Sequence, residues 1–320
     1  MFRTILSWFT AFALTAGLSA GTAVAGDIYA FGTTSPGSFN YTIAAAITGT
    51  CNKGGDMLRV QTYGTYEQIL PLVSSGEITF AAMNVLDIDA ATKGAAGYAA
   101  PLEHLQALAH LFTSSAGFMV RADSGIESLA DIKGKRLSEY TTQPNMKLFT
   151  RAILATAGLA DSDVEFVSVG NFSKVYDEFA DGRFDVALVP VGQPALADLR
   201  QRIGELRFLP IDDSPAAIAA MQGVSPLVYI TEIEPNPNLV GVDRPLKMLS
   251  YDTLLLANDQ VPSVAVEKTI MCLHDNRDAL VAASPRFKAF RPETMAKPGP
   301  LAYHPAAEAY YRANGLWPTQ

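Results

Sequence analysis

Most of the residues that could do chemistry in this chain are hydroxyls, amides and glycines placed just before helix-like segments. The first group is Gly32-Thr33-Thr34-Ser35-Pro36-Gly37-Ser38. Thr33, Thr34, Ser35 and Ser38 offer hydroxyls there, and Gly37 allows close approach of the backbone. Tyr63-Gly64-Thr65 and Asn84 each precede a further apolar-periodic stretch. Tyr140-Thr141-Thr142-Gln143 stands before Pro144, a residue suited to a first helical turn. Gly192-Gln193 stands before Pro194 in the same way. Singly, Ser, Thr and Asn at such places are helix caps contributing about 1 kcal/mol. As a set they predict several helix amino ends facing one space. Unpaired N–H groups and the positive end of each helix dipole would then hold a small anion without any formal positive charge. Thr33, Thr34, Ser35, Gly37, Ser38, Thr65, Asn84, Thr141, Thr142, Gln143, Gly192 and Gln193 are the predicted ligand contacts. Tyr63 and Tyr140 join them as flat surfaces for the ligand's apolar body, and Tyr66 is a further candidate for that task. Lys147 and Arg151, four apart, share a helix face that is expected to be solvated.

Other chemistries lack their residues. His104, His110, His274 and His304 are scattered, and none has a ligand partner at zinc spacing. There is no nucleophile elbow, phosphate-binding glycine loop or His-Glu-x-x-His. No catalytic residue, metal or cofactor is expected, and the chain reads as a non-enzyme. The 320 residues carry a net charge of −8 with no basic stripe, which argues against nucleic acid. Cys51 and Cys272 either pair or remain two separate buried thiols; sequence alone leaves both open.

The elements that must position these loops alternate strand with helix. Strands are predicted at 27–31, 57–62, 78–83, 105–112, 118–121, 136–140, 164–169, 184–189, 206–210 and 246–256. Helices are predicted at 39–50, through 69–73, from 84, at 144–156, 173–180, from 193, at 261–273 and at 306–312. Such alternation predicts an α/β fold with a mainly parallel sheet. The second run of units is expected to be inserted in the first, giving a two-lobed clamshell: 26–118 with 246–320 as one lobe, 119–245 as the other. Ligands of open α/β sheets bind beyond the strand carboxyl ends, here in the cleft between lobes. Arg3, the apolar segment 5–18 and Ala23-Val24-Ala25 predict an export signal, residues 1–25, cleaved after Ala25. The apolar segment is too short to span a bilayer of about 30 Å. The mature protein is therefore expected in the periplasm.

Several phrases resemble one family. Gln61-Thr62-Tyr63-Gly64-Thr65-Tyr66-Glu67-Gln68 is similar to a Thr-Gly-Gly-Ser-x-Glu-Asn segment. Val191-Gly192-Gln193-Pro194 is similar to a Gly-His-Pro loop. Tyr303-His304-Pro305-Ala306-Ala307-Glu308-Ala309-Tyr310-Tyr311 is close to a terminal His-Pro-Gly-Ala-x-x-Tyr-Tyr. With the loop from Phe31 to Ser38, these resemble the TAXI-type solute-binding proteins of tripartite ATP-independent periplasmic (TRAP) transporters. The resemblance implies a type II periplasmic binding fold, a small carboxylate ligand and a TRAP membrane permease as partner; separately, the protein is expected to be a monomer. The resemblance leaves His304 a structural role. Gln143-Pro144-Asn145-Met146-Lys147 departs from the family's Gly-Ser-Gly-Thr-Glu, so no particular ligand carries over. The competing expectation is a periplasmic sensing subunit that signals to a membrane kinase.

Overall fold

The structure is a computed structural model describing residues 28–318 apart from 37, 55, 56, 142 and 171. The expected export signal, Gly37 and Thr142 lie outside the described residues.

The first strand–helix units form as the pattern requires. β1 (Tyr29–Thr33) lies between β2 (Leu58–Thr62) and β3 (Phe80–Asn84), parallel to both. α1 (Phe39–Cys51) packs Ile43 and Ile47 on one side of this sheet. α2 (Tyr66–Ser74) packs Ile69, Leu70 and Val73 on the other. Gly32 permits the second contact: a Cβ there would lie 3.0–3.1 Å from the side chains of Ile78 and Ile69. α3 (Val85–Lys93) follows β3 directly and ends on Gly94 at φ +64°.

Two long strands organise the remainder. β4 (Leu105–Arg121) runs for 17 residues, where two separate strands were expected. Its middle, Thr113-Ser114-Ser115-Ala116-Gly117, looks like a break in sequence. It stays extended because β10 (Leu246–Asn258) pairs antiparallel along it, from Leu249 opposite Ala116 to Asn258 opposite Leu105. One end of this pair carries β3, joined to β10 with Thr253 opposite Asn84. The other end carries β7 (Ala187–Pro190) and β8 (Leu206–Phe208) on β4, and β9 (Tyr229–Ile233) on β10. β5 (Arg136–Tyr140) and β6 (Glu165–Val169) form a parallel pair that meets the chain beside β7 at Val186. The expectation of a mainly parallel sheet is therefore corrected. The sheet is mixed, because the two long strands oppose each other and impose antiparallel pairing on every strand that joins them.

α4 (Pro144–Thr156), α5 (Phe172–Ala180), α6 (Ala195–Ile203) and α7 (Pro215–Val224) accompany the second group of strands. α8 (Ser263–Asp275), α9 (Arg277–Ala283) and α10 (Pro305–Ala313) return to the first. Cys51 and Cys272 are disulfide-bonded, with Cα atoms 5.7 Å apart, which ties the end of α1 to α8. Tyr311 is fully buried and donates to the Leu108 carbonyl at 2.6 Å. Among the described residues no helix is long and apolar enough to cross a membrane.

The burial pattern along the long strands is uneven. β4 is buried over Ala107–Phe112 and Ala116–Val120 but partly open at Thr113, Ser114 and Ser115. β10 is open at Tyr251, directly opposite Ser114. The sheet thus has a waist.

Candidate functional site

Strand side chains alternate between faces, so Phe112, Ser114, Tyr251 and Thr253 line one side of the waist. Phe112 makes edge contacts with Phe39 and Phe287, both at 5.9 Å between ring centroids. Tyr251 lies against Phe149 of α4 at 4.6 Å. Over the Phe39 ring, at 4.3 Å, stands the guanidinium of Arg286, held in the 3-10 turn Pro285–Ala289 by the buried Phe287. Arg286 is half-buried and forms no ion pair or side-chain hydrogen bond among the described residues. Burial lowers its pKa, but a guanidinium keeps its charge regardless. A desolvated cation without a counter-charge is costly unless a ligand supplies one.

Its surroundings are also short of acceptors. At the amino end of α1, Ser38 Oγ accepts from Tyr41 N at 3.1 Å and from Thr34 Oγ1 at 2.7 Å. The amides of Phe39 and Asn40 have no acceptor among the described residues. Thr33 and Thr253 are 1 % exposed, and their hydroxyls have no partner. Thr33 shares a strand face with Phe31, towards α1, so all these groups lie on one side of the sheet.

A carboxyl group borders the same face, beside Asn84 opposite Thr253. Asp87, in the first turn of α3, accepts from Asn84 Nδ2 at 2.6 Å and from Asn145 Nδ2 of α4 at 3.4 Å. Burial raises its pKa to about 7, and Glu67 adds to the rise, while the Asn84 bond works against it. Asp87 keeps some exposure although protein surrounds it, as at the foot of a crevice. Burial, followed by the Asp87 charge, pushes Tyr66 up to about 12, with Thr34 bonded to it. The Tyr251 phenol is raised further, by burial and then by Tyr66 and Asp87, with Arg286 opposing.

The reverse face of the waist carries a closed polar cluster. Asp252, 8 % exposed, accepts from Tyr229 OH at 2.6 Å, Thr113 Oγ1 at 2.8 Å and Lys297 Nζ at 2.6 Å, and meets His110 Nε2 at 3.1 Å. Burial alone would raise the Asp252 pKa, but these bonds hold it far below the usual carboxylate range. Asp252 is fully engaged, while His110 Nδ1 has no partner among the described residues, and the cluster braces the two long strands from this side.

A family model for the NMT1-like family matches residues 31–315. The chain belongs to the NMT1-like family. Its fold is that of periplasmic solute-binding proteins. A TctC solute-binding protein from Polaromonas matches with a TM-score of 0.56 at 15% identity, over 92% of this chain and 99% of that one. A structure described as a periplasmic transporter matches at 0.51 and 15%, over 92% and 95%.

Within this NMT1-like chain the predicted residues divide. Thr33, Thr34 and Ser38 converge on the α1 amino end beside Arg286, while Ser35 is exposed and its carbonyl receives Ser38 N. Asn84 caps α3 through Leu86 N and Asp87 N, both at 3.0 Å, which occupies its oxygen. Thr65 is exposed and makes no capping bond, and Gln68 serves the Gly64 and Thr65 amides instead. Tyr63 bonds to Gln61 at the surface. Tyr140 is a core residue, 1 % exposed, whose hydroxyl donates to the Leu188 carbonyl. Thr141 extends the β5–β6 ladder by bonding Val169. Gln143, before α4, has a buried side-chain oxygen without a partner. Gly192 takes φ +75° beside Leu239, and Gln193 caps α6 through its carbonyl. Lys147 and Arg151 pair with Glu139, and Arg151 also with Asp161, so neither supplies charge to the site. His304 caps α10 by accepting from Ala306 N.

Sequence reasoning missed Arg286 and Asp87. Nothing in the spacing separates Arg286 from Arg277 or Arg291, and only the folded return of the chain puts it over Phe39. Asp87 did leave a signal, since Asn84-x-x-Asp87 is a capping-box spacing. Where hydroxyls and amides alone were expected, the structure also places the Arg286 guanidinium beside the α1 amino end, over the Phe39 ring.

Proposed function

We propose that this protein is a periplasmic solute-binding protein that captures a small organic anion, with its carboxylate on Arg286 and the α1 amino end. Two lobes, 26–118 with 246–320 and 119–245, close over it at the waist, and the loaded protein serves a TRAP-type membrane permease. The observation that carries this reading is a half-buried arginine beside amides and hydroxyls on one face of the waist, none of which has a partner acid or acceptor among the described residues. The export-signal pattern and the TAXI-like phrases support the compartment and the partner. An affinity near 1 μM corresponds to about −8 kcal/mol, within reach of one charge-assisted pair and a few hydrogen bonds in a closed cleft.

The test is calorimetric titration with a panel of small carboxylates and sulfonates. Arg286→Gln should weaken the best of them at least about 30-fold, the low end of a 2–5 kcal/mol loss for a broken buried charge pair. Its melting temperature without ligand should hardly move. Equal binding by the wild type and Arg286→Gln, or no binding of any anion, would refute the reading. Loss of uptake of the same anion on gene deletion would favour delivery to a permease over sensing.

A further inference from the structure

The anion-capture reading explains Arg286 and leaves Asp87 unexplained. Asp87 has no cationic partner among the described residues, only the amides of Asn84 and Asn145. Glu67, on the first turn of α2, adds negative potential and likewise has no cation. Asn84, which bonds Asp87, lies opposite Thr253 and so shares its face with Phe112, whose ring meets Phe39 beneath Arg286; the two ionisable groups thus border one face of the waist, and neither has a counter-ion among the described residues. Adjacent, they would simply have formed a salt bridge. Tyr251, on the same face, lies against Phe149, one turn along α4 from the Asn145 that bonds Asp87. Its phenol is acted on by both charges, while the main influences on each do not include the other. Phe149 fixes the Tyr251 ring from the α4 side.

The chemistry of the second end of the ligand follows from this. A second carboxylate would face Asp87 and be repelled. An apolar tail would leave the Asp87 carboxylate desolvated with only two neutral amide donors. A protonated amine satisfies both requirements, giving Asp87 a charge-assisted bond in addition to its two amide donors. Resting on the anion-capture reading, we propose that the ligand is a zwitterion with well-separated charges, an ω-amino acid whose carboxylate meets Arg286 and whose ammonium meets Asp87.

The experiment titrates the full exported chain with matched compounds of three to six carbons: ω-amino acids, the unsubstituted monocarboxylates, the dicarboxylates and the α-amino acids. Wild type, Asp87→Asn and Arg286→Gln are compared, with circular dichroism and melting curves confirming that each is folded. One ω-amino acid should bind at least tenfold more tightly than its unsubstituted and dicarboxylate counterparts and its α-amino isomer. Asp87→Asn should abolish that preference while keeping the weak binding of the plain monocarboxylate. Arg286→Gln should weaken both compounds. A dicarboxylate or α-amino acid that binds best, or a preference that survives Asp87→Asn, overturns the zwitterion proposal and leaves anion capture standing. No binding of any carboxylate overturns both.

Discussion

Asp87, in the helix that follows β3, and Asp252, within β3's partner β10, show how two carboxylates come to behave oppositely. Asp87 is surrounded by protein yet receives only amide donors, so its charged form is disfavoured. Its folded pKa, about 7, lies above the unfolded value, so folding loses stability as pH rises from about 4 to 7. Asp87→Asn should therefore melt higher than wild type at pH 8 and alike at pH 4, as read by calorimetry without ligand. Asp252 is depressed, and its stabilisation is present at neutral pH and lost as pH falls below about 4. Asp252→Ala would leave Lys297 and His110 without their acceptor, a loss of about 3–5 kcal/mol that urea denaturation at pH 7 would register. A drop below about 1 kcal/mol would show that the cluster does not brace the waist. Arg286 belongs to this scale too. The hydroxyl loop near it was legible because Thr34 and Ser38 are consecutive with the helix they cap. The arginine was not, since it comes from the far end of the chain.

Among the elements, those with a strong local signal matched closely. β5 and α4 fall where Arg136–Tyr140 and Pro144–Thr156 were expected, because an alternating strand and a proline-started helix need no distant partner to be recognised. β9, α7 and α9 escaped notice. β9 takes its register from β10, and α7 is a run of alanines with little sided pattern. The caps differ in weight. Asn84→Ala should cost about 1 kcal/mol in urea denaturation, because two α3 amides lose their acceptor. Thr65→Ala should be nearly silent, since its hydroxyl caps nothing. The Cys51–Cys272 bond closes a loop of 221 residues, so replacing both with Ser should lower stability by about 2–4 kcal/mol. Ligand affinity should not follow it, because α8 lies away from the waist. A parallel loss of affinity would contradict that separation.

At the level of the whole molecule, the first half of β4 and the second half of β10 belong to one group of strands, and their other halves belong to the other. On the proposed two-lobe reading, rotation of one group against the other would be concentrated where both strands are partly open, at Ser114 and Tyr251. Small-angle scattering should record a smaller radius of gyration once the true ligand is bound, and an unchanged radius would rule out closure of this kind. The same arrangement governs how the chain is built. β3 leaves the ribosome early, yet its partner on one side is β10, more than 160 residues later. Until that late segment arrives, β3 and β4 both present bare, apolar edges that invite pairing with other chains. Completion of the sheet therefore waits on the last quarter of the polypeptide, a delay that favours conditions keeping each emerging copy apart from its neighbours.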